Sequence, residues 1–176
     1  MFAVDDPRSQ PLADEFAVVM GSSHTEPMAR ATKEWPTFGE GEWQWNTNNE
    51  SIYPFFVEGA ERAEPYETLF TVGMRGNHDT EIEGGDAINQ LESLTAAQFE
   101  ILGNIFGEDS VRNPTAVPQM WCLYKEVQGY YEDGMNVPDH VTLLWADDSE
   151  CDIDFFLTAM TDWPRRLRQQ PQAAHR

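Results

Sequence analysis

Leu69-Phe70-Thr71-Val72-Gly73-Met74 runs directly into Arg75-Gly76-Asn77-His78-Asp79, and the reading of this stretch decides the fold. An apolar run of this length, without strict alternation and closed by a polar cluster, suits a strand buried on both faces. Three other stretches repeat the pattern. Phe16 to Met20 leads into Gly21-Ser22-Ser23-His24-Thr25-Glu26, Gln119 to Tyr124 into Lys125-Glu126, and Val141 to Ala146 into Asp147-Asp148. Strands buried on both faces belong to parallel sheets, whose neighbours are joined by helical crossovers. The spans 15–24, 69–75, 119–126 and 141–147 are therefore expected to be parallel neighbouring strands in an α/β fold.

The connecting segments fit this expectation. From Asp86 to Phe106 the apolar residues Ile88, Leu91, Leu94, Phe99, Leu102, Ile105 and Phe106 recur at helical spacing, with Thr95 as a possible second cap that would split the helix. Pro27 to Glu34 and Val127 to Glu132 read as short helices. The segment Trp35 to Pro65 is rich in Gly, Asn, Trp and Phe. It reads as a long excursion with one helix near Ser51 to Ala63. After Asp148 the character changes: Arg165, Arg166, Arg168 and Arg176 cluster, and Gln169-Gln170-Pro171-Gln172-Ala173-Ala174 has low complexity. Two regions are expected, a partial barrel over 1–148 and an unpacked tail over 149–176, in which Phe155-Phe156-Leu157 forms one helical turn.

Composition narrows the function classes. The 176 residues suffice for one sizeable core. Thirty-one acidic against eleven basic residues give a net charge of −20, which repels phosphate backbones. Nucleic acid and anionic membrane are excluded as partners, whereas a neutral polysaccharide is compatible. The same charge also serves solubility alone. Cys122 and Cys151 make no disulfide framework, and Cys122, inside an apolar run, reads as a buried free thiol. The start, Met1-Phe2-Ala3-Val4-Asp5-Asp6, carries neither the basic region nor the apolar core of a signal peptide. Asn49-Glu50-Ser51 is a glycosylation sequon, relevant in a secreted chain.

In open α/β sheets and barrels the site lies at the carboxyl ends of the strands. The polar clusters would bring together His24, Glu26, Arg75, His78, Asp79, Lys125, Glu126, Asp147 and Asp148. Glu126 and Asp79, on different strand ends, form a natural carboxylate pair for glycoside hydrolysis. The plainer readings are an ion pair for Glu126 and a turn or cap for Asp79. Arg75, between Gly73 and Gly76, can grip a uronate carboxylate bidentately or close a structural salt bridge. Trp35, Trp43 and Trp45 stack on sugars or fill a loop core. His24-Thr25-Glu26 matches no strong metal signature, so neither metal nor other cofactor is expected.

Four segments, in order, resemble glycoside hydrolase family 115. They are Val19-Met20-Gly21-Ser22-Ser23-His24-Thr25-Glu26-Pro27-Met28, Thr71 to Gly76 followed by Asp79, Trp121-Cys122-Leu123-Tyr124-Lys125-Glu126-Val127-Gln128-Gly129-Tyr130-Tyr131, and Val141 to Asp148. The resemblance spans about Asp5 to Asp148 and departs at Ser149-Glu150-Cys151, where the family has an asparagine followed by Trp-Gly. It implies a partial (β/α)8 TIM barrel of about four βα units, an incomplete internal piece of the catalytic domain. It further implies removal of (4-O-methyl)-glucuronic acid from glucuronoxylan or its oligosaccharides, with inversion, by a secreted parent enzyme. Glu126 and Asp79 would be the catalytic carboxylates. His24, Glu26, Arg75, Asp147 and Asp148 would contact substrate. This piece is expected to be inactive alone; the alternative is a carbohydrate-binding or interaction remnant without turnover.

Overall fold

The computed structural model describes residues 6, 8–107, 113 and 115–145. The expected boundary at Asp148, the tail 149–176 and both Asp147 and Asp148 lie outside the described residues. The described elements are α1 (Ser9–Glu15), β1 (Met20–Gly21), α2 (Trp35–Phe38), α3 (Trp45–Ala63), β2 (Thr68–Val72), α4 (Ala87–Phe106), β3 (Gln119–Leu123), α5 (Glu126–Glu132) and β4 (Val141–Trp145). The four strands form one sheet in the order β1-β2-β3-β4, and every pairing is parallel. The register sets Met20 beside Thr68, Val72 beside Trp121, and Trp121 beside Leu143. All four strand ends therefore share one edge, as the apolar runs imply.

The helices bury the outer face of the sheet. In α3 the buried residues Ile52, Phe55, Phe56, Gly59, Ala60 and Ala63 follow a three–four spacing, which draws one apolar stripe. Pro54 lies on the exposed side of that helix, so the carbonyl its ring leaves without a donor is on the solvent side. In α4 the stripe is Leu91, Leu94, Thr95, Gln98, Ile101 and Leu102, and it packs against α3. The Asp86 carboxylate caps α4 by accepting from the Asn89 N–H (3.1 Å). Thr95 does not split the helix. Its hydroxyl donates to the Leu91 carbonyl one turn back (2.8 Å), so it sits comfortably inside.

Two expectations change, and the open choice for the tryptophans is decided. Only Met20 of the first apolar run lies in β1. The preceding α1 ends in a Schellman turn, with Val18 N–H donating to Ala13 O and Ala17 N–H to Asp14 O (both 2.9 Å), and Ala17 is left-handed at φ 53°. This cap consumes Phe16 to Val18 and leaves Phe16 72% exposed. Pro27 to Glu34 forms two short 3-10 turns, Pro27–Ala29 and Thr32–Glu34, separated by extended Arg30 and Ala31. Trp35, Trp43 and Trp45 are each only 6% exposed, so they offer no face to a sugar. Trp35 and Trp43 pack edge-to-face on each other and on Phe55, with centroids 5.0 to 5.8 Å apart. The excursion is core because its aromatic rings face the stripe of α3.

Phe56 is fully buried and meets the Trp43 ring at 5.9 Å. Phe56→Ala should lower the stability of the chain by about 3–5 kcal/mol, through lost burial and the cavity left behind. Urea unfolding should show a lower midpoint with an unchanged slope. A midpoint shifted by less than about 1 kcal/mol equivalent would mean that this cluster is not the core.

Candidate active site

The loop after β2 brings its arginine to the strand ends by a glycine-dependent path. Gly73 has φ +90°, and a Cβ there would lie 2.4 Å from the Trp121 indole nitrogen. Only glycine fits this position. Gly76 likewise passes within 2.3 Å of the Glu81 carbonyl if a Cβ is added. Between them Arg75 enters the interior, with 4% of its side chain exposed.

The guanidinium joins both expected carboxylates. Nε donates to Glu126 Oε1 (3.1 Å) and Nη2 to Glu126 Oε2 (2.9 Å), a bidentate pair. Nη1 donates to Asp79 Oδ1 (2.6 Å). His24 Nε2 donates to the same Oδ1 at 3.1 Å, and Lys125 Nζ approaches Oδ2 at 3.9 Å. Residues from the ends of β1, β2 and β3 thus converge on one cluster. The plainer reading of Glu126 as an ion-pair partner is what the geometry shows, and the same arginine also holds the second carboxylate.

Tyr124 is the floor of this cluster, and sequence reasoning missed it. Its ring lies 4.6 Å from the His24 ring, 5.1 Å from the Arg75 guanidinium carbon and 4.8 Å from Lys125 Nζ. An electron-rich ring attracts cations on its face. Its place directly before Lys125-Glu126 was the available signal.

Glu26 makes contacts within its own loop. Its side chain turns back on its own loop, accepting from the Ser23 N–H (3.2 Å) and the Ser23 hydroxyl (3.3 Å). Ser22 Oγ donates to the Glu26 carbonyl (2.7 Å), and Thr71 Oγ1 to the Ser22 carbonyl (2.7 Å). Glu26 is buried and orders the loop that presents His24. His78 is exposed beside Asp79. Among the described residues no group of three or more His, Cys, Asp or Glu side chains could hold a metal ion. Also among them, no helix is long and apolar enough to cross a membrane.

Backbone strain concentrates here. His78 and Asp79 are left-handed at φ 54° and 62°, and Lys125 has φ 52° with ψ −123°. The last is a conformation that glycine normally occupies in a type II′ turn. Beneath the cluster, burial pushes the Cys122 thiol up, against the opposing pull of Arg75. Burial also raises Tyr130, with Glu81 and Glu126 adding to it.

A parallel α/β sheet that collects paired carboxylates at its strand ends is a barrel-type site. The chain belongs to Glycosyl hydrolase family 115, whose family model matches residues 1–163 and so continues past Asp148. Among solved structures it is similar to a family GH115 4-O-methyl-α-glucuronidase with specificity for decorated arabinogalactans, at 32% identity and a TM-score of 0.69. That match covers 79% of this chain and 18% of the other, so the chain spans about a fifth of its solved relative. The four described strands are part of a TIM-barrel-like domain of this family. A search of curated proteins finds no match.

Because the thiolate is the reactive form, a raised Cys122 should be slow to alkylate. In a Cys151→Ser background, folded chain at pH 8 should react with iodoacetamide at least about tenfold more slowly than unfolded chain. Mass spectrometry reads the difference. Equal rates would show that the thiol beneath the site is open to water.

Proposed function

We propose that this chain supplies the reacting centre of an α-glucuronidase that removes (4-O-methyl)-glucuronic acid side chains from a glycan, with glucuronoxylan the expected substrate. The observation that carries this reading is the sharing of one buried arginine by Glu126 and Asp79. Glycoside cleavage needs two carboxyl groups held in fixed relation, one to protonate the leaving oxygen and one to activate water. Arg75 supplies that fixed relation. In this reading Glu126 and Asp79 divide the acid and base roles, and the reaction inverts the anomeric centre.

Recognition of the uronate falls to the basic side chains that reach solvent. Three of the five N–H groups of Arg75 already serve the two carboxylates. Lys125 and His24 have 53% and 26% of their side chains exposed beside the same cluster. They are placed to meet an incoming sugar carboxylate first, with Arg75 behind them. Glu26 acts indirectly, by holding the His24 loop. We include Asp147 and Asp148, which follow β4 in the sequence, as further sugar contacts.

A closed barrel of this class takes about eight strands. Among the described residues β1 and β4 each leave one edge unpaired. We therefore expect the chain alone to bind uronates without turnover, and turnover to require a polypeptide that closes the barrel.

Titration of the chain with an aldouronic acid, followed by NMR, should shift His24 and Lys125 resonances. In a polypeptide with the closed barrel, Glu126→Gln should lower kcat by at least about 100-fold, the usual scale of general acid–base catalysis, with uronate binding kept. Near-native turnover by Glu126→Gln would falsify the assignment. Release of methylglucuronic acid by the chain alone would overturn its expected inactivity. Binding with no turnover even in the closed barrel would favour a carbohydrate-binding role.

A further inference from the structure

We propose that Gln98 and Trp43 are positioning residues that aim Arg75, and through it Glu126 and Asp79. The proposal rests on the reading that these three residues form the reacting centre, but its own support comes from contacts made elsewhere.

The pairing of β2 with β3 ends at Val72 beside Trp121. Gly73, the next residue, is buried and has left the ladder. Its N–H and C=O would be orphaned in a place without water, which is costly. Gln98 of α4 takes both. Gly73 N–H donates to Gln98 Oε1 (2.7 Å), and Gln98 Nε2 donates to the Gly73 carbonyl (3.0 Å). A primary amide carries a donor and an acceptor side by side, so it can replace a missing rung of a sheet. Gln98 is fully buried on the apolar stripe of its helix.

Two residues later Trp43 Nε1 donates to the Arg75 carbonyl (2.9 Å), and one residue beyond that Gly76 N–H donates to Thr80 O (2.9 Å). Arg75 is thus held before, at and after its own position. These anchors come from α4, from the segment before α3 and from the loop itself. A long side chain bound to two carboxylates from different elements gains little if its own backbone wanders. Near-attack geometry degrades steeply, by about 100-fold in rate for roughly 1 Å.

If the bonds only satisfied buried groups, losing them would lower stability without specifically freeing Arg75. Arginine-labelled full-length chain separates the two roles. The Arg75 Nε–H resonance, assigned by its disappearance in Arg75→Lys, reports the bond to Glu126. In Gln98→Met and Trp43→Phe its exchange with water should accelerate at least about tenfold, the scale of one ordinary hydrogen bond. Thr95→Val is the control: it removes a buried hydroxyl from the same helix that touches only its own carbonyls, and exchange should stay as in the parent chain. Should Gln98→Met fail to fold, Trp43→Phe decides alone. Unchanged protection of Arg75 in a folded variant, or equal acceleration in Thr95→Val, overturns the proposal. The readout needs no glycosidase turnover, so a chain that ignores uronates would sink the proposed function and leave this result standing.

Discussion

One buried positive charge organises the upper edge of this sheet. Arg75 enters a place where 4% of its side chain meets water, and an unpaired charge there would be strongly destabilising. The structure answers with two carboxylates, Glu126 on both Nε and Nη2 and Asp79 on Nη1. Those partners come from different strand ends, so the ion cluster also ties the β2 loop to the start of α5. One guanidinium facing two carboxylates leaves a surplus of negative charge. Lys125 approaches Asp79, which is what that surplus attracts, and His24 hydrogen-bonds the same carboxylate. Tyr124 packs against all three basic side chains, with its ring 4.6 Å from the His24 ring, 5.1 Å from the Arg75 guanidinium carbon and 4.8 Å from Lys125 Nζ.

The fold was legible where burial is symmetric. β2 and β3 lie inside near-continuous apolar runs because each is covered by neighbours and helices, whereas β4, equally apolar in sequence, is buried or half-buried only at alternate residues and leaves Leu144 44% exposed. α4 follows from its three–four spacing, whereas α3, expected only near Ser51 to Ala63 in a stretch of weak periodicity, begins at Trp45. β1 was legible only at its end. Phe16 to Val19 are apolar, but Phe16 to Val18 serve the cap of α1, and a cap is set by backbone hydrogen bonds that hydrophobicity does not report. The left-handed residue of that cap is alanine, not the glycine that would have marked it.

The site was legible as a set of strand ends and less so as a set of roles. His24, Arg75, Asp79 and Glu126 do meet. For Glu26, two residues from His24, the bonds to the Ser23 N–H and hydroxyl put one carboxylate oxygen to work inside its own loop. Short-range side-chain-to-backbone bonding of this kind depends on loop dihedrals that no motif spacing encodes. Gln98 carried a signal of another sort. A glutamine on an apolar helical stripe needs a buried partner, but a single sequence does not say which element supplies it.

The distribution of backbone strain bears on why the cluster is built from loops at all. Of six non-glycine residues with positive φ among the described ones, Ala17 closes a helix and the other five follow strands: Met28 and Ala29 after β1, His78 and Asp79 after β2, Lys125 after β3. Each such conformation costs on the order of 1–3 kcal/mol and persists only where the surroundings over-determine it. Here the surroundings are identifiable. Asp79 is held by Arg75 and His24, and Lys125 lies between Tyr124, packed under three groups, and Glu126, paired twice with Arg75. Met28 is wholly buried, and its carbonyl crowds Gly59 of α3 so closely that a Cβ there would lie 2.3 Å away. The strained positions are therefore the ones adjacent to, or part of, the charged cluster and its supporting loop. At Asp79 the left-handed residue is itself a partner of Arg75, and left-handed Lys125 immediately precedes the other partner, Glu126. Strain of the backbone and pairing of the charge thus fall on the same short segments after β2 and β3.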